Sequence, residues 1–107
     1  MKKTINDASA ARAFAALGNE TRLEILRLLI RAGAQGLNVG DLQRLTKVPA
    51  STLAHHLATL AQAGVLRQEK HGREVINFAD YASLRQISAY LLEDCCAGVL
   101  DTAGEAA

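Results

Sequence analysis

Apolar residues recur along this chain at two different spacings, and the change from one to the other falls at Gly64. Before it they return every three or four positions, the period of a helix buried on one side. Residues 7–17 carry Ala10, Ala13, Phe14 and Leu17 on one side and run out at Gly18-Asn19. Residues 21–32 are Leu-rich almost all round, which predicts a buried central helix stopped by Gly33 and Gly36. A short helix follows over 37–45, capped by Asn38, with Thr46-Lys47-Val48-Pro49 as its turn. In 48–64, Leu53, Leu57 and Leu60 share one side; Ser51, His55, Thr59 and Gln62 point the other way, with Thr52 at the border. Pro49 suits the start of such a helix and Gly64 a left-handed end.

Beyond Gly64 the pattern alternates. Residues 65–70 and 73–78 flank His71-Gly72 and predict a two-stranded hairpin with a tight turn. Asp80 then caps a last helix reaching about Cys96, with Leu84, Ile87 and Leu91 in one stripe, and 97–107 reads as a flexible tail. The expected architecture is one domain over 1–107, mainly α with a β-hairpin, in the order α-α-α-α-β-β-α.

Composition agrees with closely packed helices, since the apolar half of the 107 residues is mostly Ala and Leu with few aromatics. No run approaches the roughly 18 apolar residues needed to span a bilayer. The start, Met1-Lys2-Lys3-Thr4-Ile5-Asn6-Asp7, lacks the apolar stretch of a signal peptide, so a cytoplasmic protein without a membrane partner is expected. The net charge of +1 hides an uneven distribution: eleven Lys/Arg face six Asp/Glu in residues 1–78, and one faces five in 79–107. Within residues 43–73, around the fourth helix, Arg44, Lys47, Arg67, Lys70 and Arg73 face only Glu69. That local positive field fits phosphate.

The outward face of 48–64 is short, polar and nearly uncharged. A solvated face more usually carries Lys and Glu, whereas base edges in a major groove call for Ser, Thr, His, Asn, Gln or Arg. A short helix, a tight turn, such a helix and then a basic hairpin make a winged helix-turn-helix. Its expected partner is double-stranded operator DNA, contacted by Lys47, Ser51, Thr52, His55, Thr59, Lys70 and Arg73. Ser51 also fits a plain capping role. His56, nearer the apolar border, reads as a packed, hydrogen-bonded histidine, and His71 as a solvated turn residue. The first and last helices both expose an apolar stripe, which a homodimer would bury while presenting two reading helices to two half-sites.

The segments Leu17-Gly18-Asn19-Glu20-Thr21-Arg22-Leu23-Glu24-Ile25-Leu26 and Ala50-Ser51-Thr52-Leu53-Ala54-His55-His56-Leu57, with this element order, resemble the ArsR/SmtB family of bacterial metalloregulatory repressors over about residues 10–96. The resemblance implies a dimeric winged helix that occupies an operator until an inducer releases it. It implies bases facing Ser51, Thr52 and His55, and phosphate or the minor groove at Lys70 and Arg73. A frequent arsenic site of the family, Cys-Val-Cys before the reading helix, is replaced here by Asn38-Val39-Gly40. A frequent zinc site needs histidines on the last helix, and none follows His71.

The only cysteines are Cys95 and Cys96. Some arsenic-responsive members resemble this chain in carrying such a pair there, commonly with a third Cys nearby, where this chain has Thr102. The resemblance therefore implies trivalent arsenic or antimony as inducer at Cys95 and Cys96, with no cofactor required for DNA binding. Two thiolates suffice for an arsenical bearing one organic group, whereas inorganic arsenite prefers three sulfurs; a small cytosolic thiol could supply the third. Adjacent helical side chains point about 100° apart, so both sulfurs reach one atom only if the helix loosens there. A redox or persulfide sensor, and structural cysteines in the dimer seam, stand beside this reading. An enzyme is not expected, because no nucleophile has a positioned base. A winged-helix protein-interaction module without DNA binding is the remaining alternative.

Overall fold

The computed structural model describes residues 5–99. Four of its five α-helices begin on a side-chain cap, each satisfying a backbone N–H that the first turn would leave unpaired. In α1 (Asp7–Leu17) the Asn6 side chain accepts from Ser9 N; in α2 (Glu20–Ala32) Asn19 accepts from Arg22 N. In α3 (Val39–Thr46) Asn38 and Asp41 form a reciprocal capping box. In α5 (Tyr81–Leu92) Asp80 accepts from Ser83 N. The exception is α4 (Ala50–Gln62), whose cap position is Pro49.

Two antiparallel strands, β2 (Leu66–His71) and β3 (Glu74–Ala79), form the hairpin. A two-residue strand, β1 (Leu37–Asn38), pairs with the other edge of β3, giving the order β1-β3-β2. The expected hairpin is present but its turn lies one residue later: Gly72-Arg73 form it, and His71 is the last residue of β2. Only Gly72 of the two has positive φ, the pattern of a type II′ turn, so glycine's position chose the turn.

The core gathers Ile25, Leu26 and Leu29 of α2, Leu42 of α3, and Leu53, Leu57 and Leu60 of α4 with Val65, Leu66, Ala79 and Ile87. Gly36 is held at φ +65, and a Cβ there would lie 2.7 Å from Asn77 O and from the side chains of Ile76 and Phe78. Asn77, fully buried, donates to Leu37 O (3.1 Å) and accepts from Gln68 Nε2 (2.8 Å), so its side chain joins β1 to the base of the hairpin.

The first and last helices leave apolar residues exposed, as expected, though on α1 alanines take the buried side. The buried side of α1 is Ala10, Ala13 and Ala16; Phe14 stands 36% exposed and Leu17 is half-buried, because small residues let α1 lie close against its neighbours. On α5 only Ile87 is buried, while Leu91 is 63% exposed. The last helix also ends at Leu92, short of Cys96, as Glu93 turns to extended backbone (ψ 135°) and Asp94 and Cys96 take positive φ. Most of the tail expected over 97–107 lies outside the described residues. Among those described, no helix is long and apolar enough to cross a membrane.

Candidate nucleic-acid interface

The turn between α3 and α4 is built by Thr46 and Lys47. Thr46 Oγ1 donates to Leu42 O (2.7 Å) and accepts from Val48 N (3.2 Å), while Lys47 adopts the left-handed conformation (φ +64) with its N–H on Gln43 O. The chain thereby reverses, and α4 packs across α1, α2, α3 and β2. Burial of Leu53, Leu57 and Leu60 leaves Ser51, Thr52 and His55 in solvent, with Gln62 farther along. Thr59, expected beside them, is half-buried at the edge facing α1.

Charge on the wing and turn is partly self-compensated, which the sequence did not disclose. Arg44 is paired with Asp41 (2.9 Å), and that contact, with the Asn38 amide, lowers the Asp41 pKa. Arg67 is paired with Glu69 and stacks over the Phe78 ring, 4.6 Å from its centroid. Glu69 also meets His71 (3.1 Å), and those two partners, His71 first, hold its pKa below the usual value. Lys47, Lys70 and Arg73 are exposed and have no ion pair among the described residues. They remain the cations best able to meet phosphate, and electrostatic attraction from uncompensated charge is what gives such binding its salt dependence.

His56 is the packed histidine expected. Its Nδ1 lies 3.4 Å from Arg22 Nη1, and burial, then Arg22 and His55, push its pKa down. Arg22 in turn donates from Nε to Ala16 O (2.6 Å), so one guanidinium ties α2 to both α1 and α4. No spacing rule pointed to this residue, since its partners lie 6 and 34 positions away.

At the other end of the domain, Cys95 and Cys96 are exposed and free, with Sγ atoms 3.4 Å apart. The loosened backbone is what brings them together: on a continued helix they would diverge. Among the described residues, no three His, Cys, Asp or Glu side chains gather as a metal site.

A family model described as a helix-turn-helix domain matches residues 17–69. An ArsR-like transcriptional regulator from Rhodococcus sp. RHA1 superposes with a TM-score of 0.71 and is 36% identical, over 84% of this chain and 81% of that one. The chain belongs to the ArsR family of transcriptional regulators. Among other ArsR relatives, a putative arsenical resistance operon repressor of Halobacterium salinarum is 40% identical over 58 residues, 54% of this chain and 44% of that protein. A homodimeric winged helix-turn-helix DNA-binding domain from Mycobacterium bovis, described as a possible ArsR-family regulator, shares the fold with a TM-score of 0.62 at 24% identity, over 87% of this chain and 92% of that one. These relatives are transcription regulators, not enzymes, and the ArsR fold of this chain is the winged helix-turn-helix predicted from its pattern.

Proposed function

We propose that this ArsR-family chain is a homodimeric repressor that reads operator DNA with α4 and leaves it when a trivalent arsenical or antimonial bonds Cys95 and Cys96. The observation that carries the reading is the Sγ–Sγ separation of 3.4 Å on an exposed, non-helical turn directly after α5. One trivalent atom can bond both sulfurs at that separation without rearranging a helix: each thiol replaces one hydroxyl on the arsenic or antimony, and the hydroxyl leaves with the thiol proton as water, with no change of oxidation state. With two sulfurs and no third donor gathered nearby among the described residues, an arsenical already carrying one organic group fits better than inorganic arsenite.

Ser51, Thr52 and His55 would meet base edges, with Thr59 at the margin, and Lys47, Lys70 and Arg73 would meet phosphate. The exposed Phe14 of α1 and Leu91 and Leu92 of α5 form the apolar surface that a second copy would cover, as the Mycobacterium bovis domain assembles in pairs. The turn bearing the cysteines is close to that surface. Tyr90, five residues before Cys95, donates to Asp7 Oδ1 at the start of α1, so a change in the turn is felt where the two dimer helices meet. A ligand closing on the sulfurs shifts DNA affinity only by its preference between two arrangements, typically about 1–3 kcal/mol.

The test is displacement of a fluorescent operator fragment with thiols kept reduced. Methylarsenite should release wild-type protein, while Cys95→Ser and Cys96→Ser should bind DNA normally and resist release. Release that persists in both variants overturns the proposal; release by peroxide or persulfide but not by arsenicals replaces it with the redox reading of the same pair.

A further inference from the structure

A groove of about 460 Å³ beside α5 and the apolar surface around Leu91 both belong to the expected dimer region. A smaller groove, about 260 Å³, lies elsewhere, between α1 and α4. Its polar lining is Arg12, Arg22, Thr59 and Gln62, against alanines of both helices, and no carboxylate borders it. The side chains of Arg12, Thr59 and Gln62 have no hydrogen bond or ion pair among the described residues. Arg22 uses Nε on Ala16 O and Nη1 at His56, which leaves Nη2 without a protein partner. Its bond to Ala16 O also covers one of the carbonyls that would repel an anion at the end of α1. Two guanidinium groups, a hydroxyl and an amide therefore face one opening with donors to spare, the chemistry of an oxyanion site.

We infer that this groove holds a backbone phosphate of the operator duplex, at the margin of the major groove whose bases α4 reads. The inference rests on the DNA-reading proposal and extends it to α1. Its occupant follows from position. His55, Thr59 and Gln62 continue along one side of α4, and the seven steps from His55 to Gln62 advance about 10 Å along the axis. A B-DNA major groove is about 12 Å wide, so a helix with its first turns on base edges brings its last turn to the bordering strand. Arg12 is free to serve there. On α1 it lies about 160° around the axis from Phe14, at 100° per residue, so the apolar dimer surface and the cationic groove occupy opposite margins of the same helix. A phosphate there would fix α1 and α4 to the DNA together, giving the dimer-forming helix a direct stake in operator geometry.

The experiment is the salt dependence of operator binding by the full chain, for wild type, Arg12→Gln and Arg12→Lys. Each phosphate contact contributes about 0.9 to the slope of log K against log salt. R12Q should lower the slope by about 0.9 per subunit, or about 1.8 for a dimer, and weaken all sequences alike. R12K should keep most of the slope. Arg12 is exposed, so unchanged thermal melting of R12Q will show that the fold is intact. Equal slopes for R12Q and wild type overturn the inference while leaving DNA reading in place; a wild type that binds no duplex defeats the DNA reading itself. Calorimetric titration with inorganic phosphate supplies the other arm. Phosphate that binds wild type but not R12Q, with DNA slopes equal, would make the groove a free-anion site and overturn the duplex assignment.

Discussion

Arg22 reaches across 34 positions of chain to His56, Nη1 to Nδ1 at 3.4 Å, and so sets the side of α4 against the start of α2. A guanidinium has no acceptor, so Nδ1 of His56 must be the unprotonated nitrogen there. The histidine next to the solvent-facing His55 thus takes its orientation from a residue outside the α3-α4 unit.

Stability should fall in mild acid through this contact. The folded pKa of His56 is lowered, by burial first and then by Arg22 and His55, so below about pH 6.5 the unfolded chain binds more protons than the folded one. The contribution is complete above that pH and is lost as pH falls toward and through the folded value. Denaturant melts of wild type and His56→Gln between pH 5 and 8 should show a slope in the first that is reduced in the second.

Lys47 offers a test in which stability and DNA binding move in opposite directions. Its left-handed backbone at φ +64 costs a non-glycine residue about 1 kcal/mol, so Lys47→Gly should melt at the same or a higher temperature. Operator affinity should nevertheless drop, with the salt slope reduced by about 0.9 per subunit. A variant that is stabler and binds unchanged would remove Lys47 from the interface.

Gly36→Ala should be among the more damaging single-methyl additions in the chain. Positive φ and a 2.7 Å approach to Asn77 O act together, and strain with overpacking of this kind costs about 3 kcal/mol. Chemical denaturation measures it directly. Gly64→Ala, where φ is +82 but the space is open, should cost less, about 1 kcal/mol.

Leu91→Glu should separate the dimer surface from the fold. Leu91 is 63% exposed within one subunit, so the monomer should keep its helical circular dichroism. Sedimentation should show monomers, and operator affinity should fall at least tenfold as the second half-site contact is lost, a change of about 1.4 kcal/mol or more.

The regular elements were legible because their burial is one-sided. Leu53, Leu57 and Leu60 repeat at helical spacing and all three are buried, and Asn38 and Asp80 announced helix starts that the caps realise. The two-residue β1 carries no period to detect; it exists because Asn77 and Gly36 let it approach β3. The hairpin turn slipped by one residue because alternation alone leaves register to turn geometry, which Gly72 settled.

Local pattern by itself determined the helix-turn-helix, the wing, the outward Ser51-Thr52-His55 face and the presence of two adjacent thiols, since each is a matter of spacing along a short stretch. Tertiary structure alone decided which cations are left unpaired, that α5 stops at Leu92, that the two sulfurs approach to 3.4 Å, and that Arg12 and Arg22 meet across a groove. Those outcomes depend on distances between segments far apart in sequence or on backbone bends, and packing sets both.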